Sequence, residues 1–161
     1  PAVVATCWCC RGWALSDLNP VQFVVPGDPV GKGRPRVSTI GGHARMFTPK
    51  KTASYEGLIA LVGTEAMAGR VLLECPVMVE MRIVLPVPAS KSKKFKAQAL
   101  AGDIFPTKKP DMDNVIKAIY DGLNGIVWKD DVQVVDAIVR KRYGEVPGVH
   151  VRIIPLMQEV A

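Results

Sequence analysis

The sequence predicts an α+β fold, a small mixed or antiparallel sheet with two main helices in a single domain, and three observations carry that expectation. Val77, Val79, Met81, Ile83 and Leu85 alternate with polar residues such as Glu80 and Arg82, the two-residue period of a half-buried strand. Two other stretches, following Thr52 and Asp111, repeat apolar residues at helical spacing instead. Strand-like runs open and close the chain, so the elements read β, α, β, helical segment, α, β, β. At 161 residues the chain is long enough for one real core and short for two.

Residues 1–20, Pro1 through Pro20, fit neither period and are expected to form an N-terminal extension, with the domain over 21–155 and a short tail over 156–161. Val21-Gln22-Phe23-Val24-Val25 is the first strand, stopped by Pro26-Gly27. From Gly27 to about Lys50, five glycines and three further prolines predict a loop, which Arg34, Arg36, His43 and Arg45 make a mobile basic arm. Thr52 or Ser54 is placed to cap a helix running to about Ala68 and ended by Gly69, with Leu58, Ile59, Leu61, Val62 and Ala66 at core spacing.

The alternating strand Pro76–Leu85 stops at Pro86-Val87-Pro88. A lysine-rich stretch from Ser90 to about Ala101 follows, a short helix or a loop that orders on binding. The next helix begins near Asp111, ends between Gly122 and Gly125, and buries Val115, Ile116, Ile119 and Leu123. Strands Val132–Arg142 and Val149–Pro155, joined by a turn at Gly144-Glu145-Val146-Pro147-Gly148, close the chain.

Composition narrows the function classes. No apolar run approaches the ~20 residues that cross a bilayer, which excludes a membrane-spanning helix. Cys7, Cys9, Cys10 and Cys75, with His43 and His150, lack the two separated ligand pairs of a structural zinc. Without a cysteine framework or a charged-then-apolar leader, a cytoplasmic location is expected. The net charge of +6 is gathered in groups: Lys32, Arg34 and Arg36; Lys91, Lys93, Lys94 and Lys96; Lys108 and Lys109; Arg140, Lys141 and Arg142. A polyanion, nucleic acid above all, is the partner such a pattern fits. Charge runs also occur on plain solvated faces, so the weight falls on what lies beside them.

Beside them is an acidic cluster. Asp111, Asp113 and Asp121 share one short stretch with Lys117, and Asp130-Asp131 follow shortly after. At 3.6 residues per turn Asp113, Lys117 and Asp121 fall at i, i+4 and i+8 on one stripe, while Ile116, Ile119 and Leu123 face the core. Asp111 lies at the helix start, where free N–H groups favour an ionised carboxylate. Asp130 and Asp131 arrive from the turn into the next strand and are positioned to meet Asp111 and Asp113. Carboxylates that repel one another call for a cation between them, and hard oxygen donors suit Mg2+ or Mn2+. Activation of water against a phosphodiester is the chemistry of such a centre, with one ion or two, and Lys117 is placed to offset charge building on phosphate or to orient the nucleophile. Taken singly, each feature has a plainer reading: an i,i+4 surface pair, a helix-start aspartate, an acidic turn.

The run Pro110-Asp111-Met112-Asp113-Asn114, then Lys117, then Asp121-Gly122-Leu123-Asn124-Gly125, then Trp128-Lys129-Asp130-Asp131-Val132-Gln133-Val134 closely resembles the signature of the RusA family of Holliday junction resolvases. Gly33-Arg34-Pro35-Arg36 and Phe47-Thr48-Pro49 through Tyr55-Glu56 resemble it too, so the similarity spans about residues 21–155. The resemblance implies a RusA-like fold and a small homodimeric, Mg2+-dependent endonuclease, often phage- or prophage-encoded, that nicks four-way DNA junctions symmetrically. It matches Asp111, Asp113 and Asp131 to metal-binding catalytic carboxylates and Lys117 to the catalytic lysine. Asp130 stands where it can share the metal, and Asn114 and Asp121 take supporting positions, Asp121 by bonding Lys117 or a backbone amide. Lys32, Arg34, Arg36, Arg45, Lys93, Lys94, Lys108 and Lys109 are the expected DNA contacts. The N-terminal Cys-Trp-Cys-Cys has no counterpart in that pattern.

Two other classes compete: a junction- or DNA-binding module that does not cut, and a metal-dependent phosphodiesterase acting on other branched nucleic acids. Gel shift and cleavage on one junction, with and without Mg2+, separate them.

Overall fold

Four strands, β1 (Val21–Pro26), β4 (Val77–Pro86), β5 (Val134–Gly144) and β6 (Gly148–Pro155), form the main sheet in the order β1-β6-β4-β5 of this computed structural model. The structure describes residues 19–33, 36–40, 43–47 and 49–156. The N-terminal extension up to residue 18 with its three cysteines, Arg34, and the tail from residue 157 lie outside the described residues.

β6 runs antiparallel to both β1 and β4, whereas β4 and β5 are parallel, so the sheet is mixed as expected. The alternation read in β4 is a burial alternation: Val77, Val79, Met81, Ile83 and Leu85 are all buried. They join Val21, Val25, Val149, Val151 and Ile153 from the neighbouring strands in one core. Each such side chain taken out of water contributes about 1.5–3 kcal/mol before entropy is counted. The sheet's polar rows carry Arg82, Arg140, His150 and Arg152, the last paired with Glu80 at 3.2 Å.

Helices α1 (Lys50–Met67) and α3 (Met112–Leu123) complete the core. They approach closely because two glycines let them. A Cβ on Gly122 would lie 2.9 Å from the Ile59 Cβ, and one on Gly63 would lie 2.8 Å from a Leu123 methyl. α1 departs from its sequence reading in detail. It starts at Lys50 behind Pro49, so neither Thr52 nor Ser54 caps it. Thr52 is instead buried and accepts the Gly33 N–H at 3.2 Å, while Leu61 is exposed and Tyr55, Ile59, Gly63 and Met67 form the inner stripe. The left-handed Ala68 and the positive φ of Gly69 end the helix.

The lysine-rich stretch is a helix, α2 (Lys93–Ala101), opened by Ser92, whose Oγ accepts the Phe95 N–H, and closed by Gly102 at φ 92°. It lies against β5 through an edge-on contact of Phe95 with Tyr143. The predicted loop between Gly27 and Lys50 contains two strands, β2 (Arg36–Ile40) and β3 (His43–Phe47), paired antiparallel with Ile40 opposite His43. No helix of the described residues is long and apolar enough to cross a membrane.

Candidate active site on the third helix

α3 is sharply two-sided. Val115, Ala118, Ile119, Gly122 and Leu123 are buried, Ile116 is half-buried, and Asp113 and Lys117 are about two-thirds exposed on the other face. The segment leading into the helix is held by Lys141 of β5, whose ammonium donates to the carbonyls of Lys108, 2.5 Å away, and Pro110, 2.8 Å away. That places the start of α3 against the sheet edge. A lysine counted in the sequence only as part of a basic group is thereby an anchor.

Asp111 occupies the N-cap position, yet its side chain makes no capping bond; its nearest donor is the Asn114 amide at 3.5 Å. Its carboxylate is exposed. One turn on, the Lys117 ammonium stands 3.7 Å from Asp113. Asp121 does not bond Lys117: it accepts from the ammonium of Lys32, which also stands 3.9 Å from Glu56 on α1. Glu56 was not a candidate in the sequence, and its only available signal was membership of the Tyr55-Glu56 pair.

Asp130 and Asp131 are delivered by a tightly built turn. Asp130 caps a single 3₁₀ turn, Asp131–Gln133, by accepting the Val132 N–H, and Gln133 answers by accepting the N–H groups of Lys129 and Asp130 at 2.9 and 3.1 Å. The Gln133 amide then donates to the carbonyls of Leu73, 2.7 Å, and Cys75, 3.0 Å. Upstream, Trp128 is fully buried, bonds Asn124 through its indole N–H at 2.7 Å, and meets Tyr120 edge-on. These contacts fold the chain back so that Asp131 lies beside Tyr120 and Asp121 near the C-terminal end of α3.

Partial desolvation first, then a hydrogen bond shared with the Asp130 side chain, then the charges of Asp130 and Asp121, push the Asp131 carboxyl above the ordinary carboxylate range. Burial, with a smaller contribution from Asp131, likewise raises the Tyr120 hydroxyl.

The structure therefore brings Asp131 together with Asp130 and Asp121, and Asp113 together with Lys117, along one helix. Asp111 and Asp113 stand toward its other end, since eight residues of helix span about 12 Å. Among the described residues no three aspartate, glutamate, histidine or cysteine side chains stand closely enough to hold an ion by themselves. In kind, the donors fit a hard divalent cation: all are carboxylates, and the repulsion at Asp131 is the repulsion such a cation removes.

Of the expected DNA contacts, Lys93 and Lys94 are exposed on the first turn of α2, and Lys108 and Lys109 on the approach to α3. Arg36 and Arg45 belong to the β2–β3 hairpin. Lys32 is engaged with Asp121 and Glu56.

Two comparisons bear on this arrangement. A family model described as "Endodeoxyribonuclease RusA" matches residues 26–154. The "Uncharacterized protein YqaN" of Bacillus subtilis (strain 168) is 40% identical over 138 residues, covering 84% of this chain and 96% of that protein.

Proposed function

This chain belongs to the RusA endodeoxyribonuclease family, and from that premise we propose that it resolves four-way DNA junctions by paired symmetric nicks, as a homodimer using Mg2+ or, in its place, Mn2+. The family implies the coarser activity, a junction-resolving endonuclease acting on branched DNA. Two symmetric nicks need two active sites, which a dimer with two-fold symmetry supplies. Its place of action is the cytoplasm, where DNA is accessible to it.

The observation that carries the proposal is the exposed acidic face of α3 with its lysine, set in a chain of net charge +6. Asp111 and Asp113 toward one end of α3, and Asp131 with Asp130 adjoining toward the other, are the carboxylates that would hold divalent metal, one ion or two, which when bound would supply Lewis-acid activation of water and offset charge on the phosphate oxygens. Lys117 brings a positive charge to the same face, where it stabilises charge developing on the scissile phosphate. Asp113 orients that lysine at 3.7 Å. Asn114 supports Asp111 through its amide. Arg34, Arg36, Arg45, Lys93, Lys94, Lys108 and Lys109 hold the DNA backbone, giving affinity and steering without sequence readout.

The test is cleavage of a synthetic four-way junction with and without Mg2+, with both strands mapped. Paired nicks at symmetric positions that require the cation are expected. Binding without cleavage would point to a non-cutting junction-binding module, and equal cutting of forks or other branched nucleic acids to a less selective phosphodiesterase; either overturns the proposal.

A further inference from the structure

By charge alone Lys32 is a DNA contact, but its surroundings are those of an internal strut. Its backbone N–H donates to the Asn114 carbonyl of α3 at 2.8 Å. The preceding Gly31 lies so near α3 that a Cβ there would stand 3.0 Å from the Asn114 Cβ. The following Gly33 donates its N–H to Thr52 on α1. The Lys32 ammonium reaches both helices at once, donating to Asp121 on α3 and standing 3.9 Å from Glu56 on α1.

Glu56 makes this more than a surface pair. Its Oε1 is shut off from solvent and receives no hydrogen bond, so Lys32 is the charge that compensates it. The close crossing at Gly122 brings the two carboxylates together, since a Cβ on Gly122 would also lie 3.3 Å from the Glu56 carbonyl. An ammonium committed between two carboxylates has little left to offer a phosphate. The same three residues, Gly31 to Gly33, lead into β2 at Arg36.

We propose that Lys32 is a positioning residue for strand cleavage: through Asp121 and Glu56 it fixes the root of the β2–β3 hairpin against the helix carrying Asp113 and Lys117. Backbone held by the hairpin then meets the acidic face in one register. The inference rests on the nuclease reading above for its consequence, though not for its geometry. Without the ammonium, two carboxylates face each other across α1 and α3, and the root loses its only ionic tie among the described contacts.

Full-length Lys32→Met, Lys32→Arg and the double variant Lys32→Met/Glu56→Gln provide the test. Junction affinity is measured in EDTA over a salt series, single-turnover cleavage with Mg2+ at saturating enzyme, and amide hydrogen exchange over residues 29–33 without DNA. For Lys32→Met, cleavage should slow by about ten-fold or more, as misplacement of reacting groups does, with affinity and salt slope unchanged and faster exchange at the Lys32 amide. Lys32→Arg should recover most of the rate, because a guanidinium can serve two carboxylates. A salt slope lowered by about one, with weaker binding, would make Lys32 a phosphate contact and overturn the proposal. So would wild-type cleavage by Lys32→Met. If Lys32→Met fails to fold, the double variant, which leaves no bare charge on Glu56, takes its place under the same criteria. If the wild type binds but does not cut, the nuclease reading falls, and unchanged exchange at residue 32 would still sink the strut.

Discussion

Gln133 donates its side-chain amide to the backbone carbonyl of Leu73, 2.7 Å away and 60 residues earlier in the chain. With the Cys75 carbonyl and the N–H groups of Lys129 and Asp130 as further partners, one side chain fixes the turn that carries Asp130 and Asp131. Gln133→Ala removes these bonds, among them the part-buried ones to the Leu73 and Cys75 carbonyls, and should cost about 1–3 kcal/mol of stability, read from the shift of a urea midpoint at constant slope. Junction cleavage should fall further than the unfolded fraction explains, because Asp131 loses its seat.

Asp113→Asn should reduce metal-dependent cleavage on the order of 100-fold or more while junction binding is retained or tightened, since one negative charge facing phosphate is gone. Gel shift and cleavage on the same labelled junction measure both. Cleavage at the wild-type rate would remove Asp113 from the site.

Asp131 sets a pH and metal dependence with a definite sign. Desolvation, a hydrogen bond with the Asp130 side chain and the charges of Asp130 and Asp121 raise its pKa, so the folded protein binds this proton more tightly than the unfolded chain. That contribution to stability is present at acid pH and is lost as pH rises through the folded-state value. At neutral pH the ionised group opposes folding, and a divalent cation bound there would relieve it. Mg2+ or Mn2+ at neutral pH should therefore raise the Tm of the wild type, and raise that of Asp131→Asn less. Without metal, Asp131→Asn should melt no lower than wild type at neutral pH, and a lower Tm would contradict the electrostatic account.

Gly122→Ala tests the helix crossing beneath the site. The added methyl would meet the Ile59 Cβ at 2.9 Å, a contact that a branched residue on a packed helix cannot easily give way to. A loss of about 1–3 kcal/mol is expected from such overpacking. Thermal denaturation of the variant gives the value, and an unchanged Tm would mean the helices slide apart freely.

The elements that hydrophobic period controls were legible from the amino acids: β4 from strict alternation, and α3 from an apolar stripe with Asp113 and Lys117 on the opposite side. Runs of glycine misled where pairing decides. The Gly27–Lys50 stretch reads as loop by composition, yet Val37-Ser38-Thr39-Ile40 and His43-Ala44-Arg45-Met46-Phe47 pair as strands, and the intervening Gly41-Gly42 was an available hairpin signal. Thr52 looked like a cap because its type caps helices, while its actual partner, Gly33, lies outside the helix. At the site, the Asp113–Lys117 pair follows from helical spacing, whereas Asp121 with Lys32 and Gln133 with Leu73 join residues whose separations, 89 and 60, no local pattern encodes. The pairing of Glu56 with Lys32 was hidden for the same reason.

The parallel pairing of β4 with β5 obliges the chain to travel the length of the sheet between them, and α2 and α3 are the return path. The helix bearing Asp113 and Lys117 is thus also the beam that lets the last two strands reach their berth. Its two sides answer to different demands. Changes at Asp113 or Lys117 on the wet side are expected to silence the protein and leave it whole, while changes at the buried Val115, Ile119 or Leu123 are expected to dismantle it. Inert but intact copies, useful for trapping a bound junction, are therefore to be sought at Asp113 and Lys117 rather than at Asp121, which is tied to Lys32.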